Sequence, residues 1–150
     1  MITVPTPLAM HLKFMEFYGL REIAGEQNNP TIMDWAEDLG LTWVQNDETA
    51  WCSLMINWIA WKLGIEYTGK LNARSWLDIG ENVPFGEAVL GHVCVFWRDD
   101  PSSWKGHVGL YAGTDGSDIY VHGGNQMNQA NCSPYARTRL LAIKELSYVS

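Results

Sequence analysis

The apolar pattern of the chain changes period at Pro84. Upstream the spacing is helical. Residues 8–18 (LAMHLKFMEFY) stop at Gly19, and residues 31–39 (TIMDWAEDL) follow Pro30 and stop at Gly40, so both predict helices. REIAGEQNNP between them predicts a structured loop. The strongest helical stretch is 50–63 (AWCSLMINWIAWKL), where Cys52, Met55, Ile56, Ile59, Ala60 and Leu63 form one continuous face. Asp47 or Thr49 is placed to cap its start, and Gly64 to end it. KLNARSWLDIG then predicts a short helix or turn.

Downstream of Pro84 the period is that of strands. Residues 93–97 (VCVFW), 108–112 and 119–122 read as strands, and 139–143 supplies a final one. GTDGS at 113–117 suits a hairpin turn, while DDPSSWKG is long for one and predicts a rim. Helices first and an antiparallel meander afterwards predict an α+β fold.

Composition narrows the function classes. The chain of 150 residues, 47% hydrophobic and 18% charged, is expected to form one domain over 1–150 with a full core. A net charge of −7 argues against a general grip on nucleic acid or an anionic membrane. The apolar runs are too short to span a bilayer, so no stable membrane insertion is expected. The opening MITVPTPLAMHLKF has neither a basic region leading into an apolar stretch nor a small-residue cleavage site, so no secretory signal is expected. The cysteines, Cys52, Cys94 and Cys132, form no CxxC pair and fit free thiols made in a reducing cytoplasm.

Among the thiols, Cys52 has the most informative setting. In the first turn of the best helix, backbone N–H groups and the positive end of the macrodipole favour thiolate, the nucleophilic form. The same position also suits a small residue on a buried stripe. Cys94 lies between valines and reads as core, and Cys132 has no evident activator. His107 opens a strand in Gly106-His107-Val108-Gly109, a placement that suits a general base near its ordinary pKa. A strand-end histidine bonded to solvent is the plain alternative.

Asn125 and Gln126, after Gly123 and Gly124, are set to reach back and orient the imidazole in the tautomer that accepts a thiol proton. A simple turn would use the same residues. His11 and His92 read as structural. His107, His122 and Cys132 with an acid would be the one zinc set to consider, but no pair has recognisable ligand spacing. No metal or other cofactor is expected.

Cysteine at a helix start, histidine at a later strand start and an amide after the next strand resemble the papain-like cell-wall hydrolases, the CHAP and NlpC-type peptidases. The residues that carry the resemblance are Asp47-Glu48-Thr49-Ala50-Trp51-Cys52, Gly106-His107-Val108-Gly109 and Gly123-Gly124-Asn125-Gln126, preceded by Glu22, Gly25 and Asn29-Pro30-Thr31-Ile32. The look-alikes include single-domain phage endolysins. The resemblance implies N-terminal helices, the nucleophile helix among them, packed on an antiparallel sheet. It implies a cysteine peptidase or amidase cutting an amide of the peptidoglycan stem peptide, with Cys52 as nucleophile and His107 as base.

Asn125 would be the third member, with His122 and Gln126 as alternatives; some CHAP domains carry a glutamate where this chain has Gly123. The Cys52 N–H, with Asn46 or Gln45, would bind the oxyanion. Glu48, Trp51, Trp104 and Gln126 would contact substrate, Glu48 either as a helix-start acid or through a cationic stem-peptide amine. Of the 8 tryptophans, Trp35, Trp58 and Trp61 are expected to pack; Trp51, Trp76 and Trp104 are near enough to stack on sugar rings, although core packing is the favoured reading of each. A monomer made in the cytoplasm and released to the wall through a separately made pore follows from the endolysin likeness. A secreted bacterial effector also fits. A non-catalytic wall-binding module of this fold and a thiol hydrolase acting on protein are the rivals.

Overall fold

The computed structural model describes residues 3–21, 29–41 and 51–149. Helix α1 (Thr6–Met15) buries Met10 and Phe14. Helix α2 (Pro30–Asp38) is started by its own sequence. The Asn29 side chain accepts the Thr31 N–H at 2.9 Å, and Pro30 fills a first-turn position that needs no N–H donor. Ile32 of the same segment is fully buried, so Asn-Pro-Thr-Ile has a structural explanation as a helix start.

Helix α3 (Cys52–Leu63) ends at Gly64 in the left-handed conformation, as its sequence predicts. Its start differs from expectation. The helix begins at Cys52 itself, with Trp51 in the cap position and no side-chain cap bond; Asp47 and Thr49 lie outside the described residues. Its burial differs too, because every residue from Cys52 to Ala60 is buried rather than one face. The helix is enclosed by α1 and α2 on one side and the sheet on the other. A helix covered all round loses the amphipathic signature.

The polar groups that this burial encloses are satisfied locally. Asn57 Oδ1 accepts the N–H groups of Thr68 and Gly69 at 2.9 and 2.8 Å, and its Nδ2 donates to the Ser53 and Lys70 carbonyls, each at 3.0 Å. Ser53 Oγ donates to the Lys70 carbonyl at 2.7 Å and accepts Trp76 Nε1–H at 2.9 Å. These bonds pin the connection after α3 and the 3₁₀ helix Ala73–Asp78 that follows it. Both end up beside the first turn of α3.

The strands are β1 (Glu81–Asn82), β2 (Val93–Trp97), β3 (Gly106–Thr114), β4 (Asp118–Gln126), β5 (Gln129–Ala136) and β6 (Leu140–Glu145). They form one sheet in the order β1-β6-β2-β3-β4-β5, antiparallel throughout. Val93, Val95, Val108 and Leu110 join the helical core. On the other face Cys94, Phe96, Ile119, Val121 and Ile143 form a second apolar cluster, flanked by Phe85 and Tyr135. The architecture is therefore α+β, as expected.

Strand β5 was not expected. QANCSPYA lacks apolar alternation and contains Pro134, which a sheet tolerates at its edge, where β5 lies. Among the described residues no helix is long and apolar enough to cross a membrane.

Candidate active site

Cys52 occupies the first position of α3 and is only 4% exposed. Its sulfur is faced by the backbone N–H groups of Val108, Ser53 and Cys52 itself, and by the positive field of Arg98. Each of these favours thiolate, yet burial outweighs them and pushes the thiol above its ordinary value. The helix start therefore does not by itself yield a resting thiolate. Cys52 lines a cavity of about 320 Å³ together with Leu71, Asn72, Ala73, Arg98, Trp104 and Gly106, among others. Cys94, sealed in the second cluster, has its thiol pushed far up by burial, and Cys132 is exposed on the edge strand.

His107 is the second residue of β3, one before Val108, whose N–H faces the sulfur. Among the described residues the side chain hydrogen-bonded to it is that of Gln126, with Oε1 at 2.9 Å from Nε2. The direction of that bond follows from its surroundings. Gln126 Nε2 donates to the Val121 and Asn131 carbonyls at 3.1 and 2.9 Å and to Asn131 Oδ1 at 2.8 Å. With the amide nitrogen so placed, Oε1 must face the ring and accept from Nε2–H. Neutral His107 then carries its lone pair on Nδ1, the form a base needs. Burial pulls the imidazole down to about 4, with the Gln126 bond opposing and Arg98 adding to the fall. The expected base near its ordinary pKa is thus corrected: thiol and imidazole are both held neutral.

Two glycines make this arrangement possible. A Cβ on Gly123 would stand 2.5 Å from Gln126 Oε1 and 3.1 Å from His107 Nε2. The side chain missing there is what lets Gln126 reach the ring. A Cβ on Gly124 would stand 2.7 Å from the Trp51 ring, so β4 lies directly against the residue that precedes the nucleophile candidate. Asn125 serves the backbone: its φ of +58° is the left-handed conformation that asparagine tolerates, within the irregular register between β4 and β5. Asn125 has no hydrogen bond to His107 among the described residues, and the orienting contact comes from its neighbour.

Tyr135 stacks on the His107 ring at 4.6 Å between centroids and 11° between planes. Burial, helped by the Cys52 sulfur, pushes its phenol up to about 12, so the hydroxyl stays neutral. A second cavity of about 250 Å³ lies on this imidazole side, lined by Trp97, Arg98, His107, Asn125, Gln126, Met127, Tyr135 and Arg139, among others. Arg98 lines both cavities. Neither Arg98 nor Tyr135 stands out in the sequence, because each owes its place to pairing between segments distant along the chain. A periodic pattern in β5 would have flagged Tyr135, but that strand has none.

The other expected contacts divide. Trp51 and Trp76 are fully buried and present no face to a substrate, whereas Trp104 is 74% exposed on the rim formed by DDPSSWKG. That rim is clamped by Arg74, which donates to the carbonyls of Lys105, Pro101 and Asp100 at 2.9, 2.9 and 3.2 Å. Glu48, Gln45 and Asn46 lie outside the described residues, as do Glu22 and Gly25. His122 turns towards α1 and stacks on His11 and Phe14, away from the His107–Gln126 pair. Among the described residues no group of three or more His, Cys, Asp or Glu side chains is arranged to hold a metal ion.

No family model matches the sequence, and neither does any curated protein. Solved structures do match the fold. One is NlpC1 from Trichomonas vaginalis, with a TM-score of 0.59 and 13% identity over 98% of this chain and 46% of that one. Another is a protein similar to a lipoprotein, of the NLP/P60 family, from Staphylococcus aureus, with a TM-score of 0.57 and 17% identity over 97% of this chain and 44% of the other. The chain thus spans less than half the length of either neighbour. A continuous antiparallel sheet, a buried helix that starts on a cysteine and agreement with these structures along nearly the whole chain show that the chain has the fold of these NlpC and NLP/P60 structures.

Proposed function

We propose that the protein is a cysteine-dependent hydrolase that cuts an amide of the peptidoglycan stem peptide, acting in the manner of a phage endolysin. The observation that carries this reading is the tautomer imposed on His107 by Gln126. It leaves Nδ1 as the proton acceptor, one residue from the backbone N–H that faces the Cys52 sulfur. Sulfur and imidazole share no hydrogen bond among the described residues, and contacts of this kind commonly tighten only around a bound substrate.

In the proposed reaction the Cys52 sulfur bonds to the amide carbon while Nδ1 takes the thiol proton. That proton then passes to the departing nitrogen as the C–N bond breaks, leaving a thioester. Water attacks the thioester, gives a proton to Nδ1, and the acid leaves as the thiol is restored. The Cys52 N–H, at the open end of α3, donates to the oxyanion. A neutral resting pair suits this sequence, because the proton moves only as the carbonyl is attacked. Trp104 offers an exposed ring at the mouth of the cavity for the sugar or peptide flanking the cut.

The test is digestion of purified peptidoglycan with the wild-type chain, Cys52→Ser and His107→Ala, followed by mass spectrometry of the new ends. New amine and carboxyl ends with wild type alone are expected, and they also identify the bond. Turnover surviving in Cys52→Ser would remove the thiol mechanism. No turnover of wall by any form, with binding retained, would favour a wall-binding module; cleavage of protein substrates alone would favour a protein-directed thiol hydrolase.

A further inference from the structure

The cavity on the imidazole side runs against the net charge of the chain. The protein carries −7 overall, yet the described residues lining this cavity include two arginines, Arg98 and Arg139, and no aspartate or glutamate. Cations elsewhere near the site are committed. Arg74 is spent on three carbonyls, and Lys105 Nζ pairs with Asp99 at 3.1 Å. Arg98 has no such partner: among the described residues no carboxylate or carbonyl receives its guanidinium. Arg139 lies over the Trp97 ring at 4.9 Å and likewise has no acidic partner among them. Stacking restricts the guanidinium while leaving its N–H edge for an acceptor.

Resting on the reading above, the reaction fixes which half of a substrate meets this cavity. The imidazole must protonate the departing nitrogen, so the amine half lies on the His107 side and the acyl half on the Cys52–Trp104 side. We propose that the His107-side cavity is a carboxylate-binding subsite, in which Arg98 and Arg139 hold a carboxylate carried by the amine half of the substrate. Planar guanidinium groups suit that ligand, since paired N–H donors match the two carboxylate oxygens. Arg98, lining both cavities, would then set how far the departing nitrogen stands from Nδ1. An amine half ending in a carboxamide lacks the charge and loses this anchor.

The subsite is tested by binding, so that the answer does not depend on turnover. Cys52→Ser protein is titrated with alanyl-alanine and with alanyl-alaninamide, followed through the amide and ring NMR signals of His107, Asn125, Gln126 and Tyr135. The expected result is about tenfold tighter binding of the carboxylate form, weakening with added salt. Adding Arg98→Gln or Arg139→Gln should bring the two affinities together. Equal affinities in Cys52→Ser, or a preference that survives both arginine substitutions, would overturn the subsite even if wall digestion succeeds. A charge preference removed by the arginine changes would uphold it even if wall digestion fails, in which case only the peptidoglycan reading falls.

Discussion

His107 Nε2 and Gln126 Oε1 lie 2.9 Å apart, and the three acceptors around the Gln126 amide nitrogen make the histidine the donor. Asn131 extends this chain. Its Oδ1 also accepts from Ser133 Oγ at 2.8 Å, and its Nδ2 returns to the Gln126 carbonyl at 3.1 Å. The orientation of one imidazole is thereby referred to the β4–β5 pairing rather than to a neighbour in sequence.

Removing the amide should damage the chemical step more than binding. Gln126→Ala is expected to lower kcat roughly tenfold to a hundredfold with little change in KM, because the wrong tautomer becomes available. Gln126→Glu should raise the acid limb of the pH profile, since a carboxylate at that place favours imidazolium. Asn125→Gly should keep most of the activity, glycine being at ease at the φ of +58°. A larger loss in Asn125→Gly than in Gln126→Ala would reverse the two roles.

The buried histidine also predicts a pH dependence, with a definite sign. His107 titrates near 4 in the folded chain against 6.5 ordinarily, so between those values the unfolded chain binds more protons. Its contribution is present in full above 6.5 and is lost as pH falls to about 4. The size is on the order of 3 kcal/mol, measurable by urea unfolding of wild type and His107→Gln across that range. The acid limb of kcat/KM should likewise lie well below the ordinary histidine value; a limb at 6.5 would show that the ring is not desolvated as described.

Thiol reactivity should follow exposure rather than catalytic role. Cys132 is exposed, while Cys52 is buried with its thiol pushed up. Brief iodoacetamide treatment near neutral pH should therefore label Cys132 first and leave activity intact, with Cys52 labelled and activity lost only on longer exposure or at alkaline pH. Peptide mapping at each time point checks the order. Immediate loss of activity with Cys132 unlabelled would mean a resting thiolate at Cys52.

Adjacent glycines should fail in different ways. Gly123→Ala introduces a methyl 2.5 Å from the buried Gln126 Oε1, so the amide must leave the ring, and activity should fall by more than the loss of the amide bonds lowers the melting temperature. Gly124→Ala meets the buried Trp51 ring and should destabilise the fold by about 1–3 kcal/mol. Thermal unfolding and turnover on the same preparations separate the two.

Local chemistry explains which features were readable in advance. Strand 93–97 and the left-handed stop at Gly64 depend on side-chain alternation and on one residue's φ, both carried by short segments. Strand β5 was hidden because an edge strand with Pro134 and polar residues needs no apolar pattern. The full burial of α3 was hidden because a helix's own residues do not reveal how many neighbours enclose it. Within the site, Cys52 and His107 could be singled out from helix-start and strand-start positions. There the resemblance favoured Asn125 over Gln126, whereas the hydrogen bond to the ring comes from Gln126; both follow the same glycines, and only the register between β4 and β5 separates them.

The order of amino acids determined the helices-then-strands succession, the thiol at a helix start and the histidine at a strand start, because each depends on interactions among near neighbours. Tertiary structure alone decided that Gln126 faces the ring, that burial overrides the helix start in holding the Cys52 proton, and that Arg98 borders both cavities. Those outcomes depend on desolvation and on distances between β2, β3, β4 and α3, and neither quantity exists until the sheet has closed against the helix.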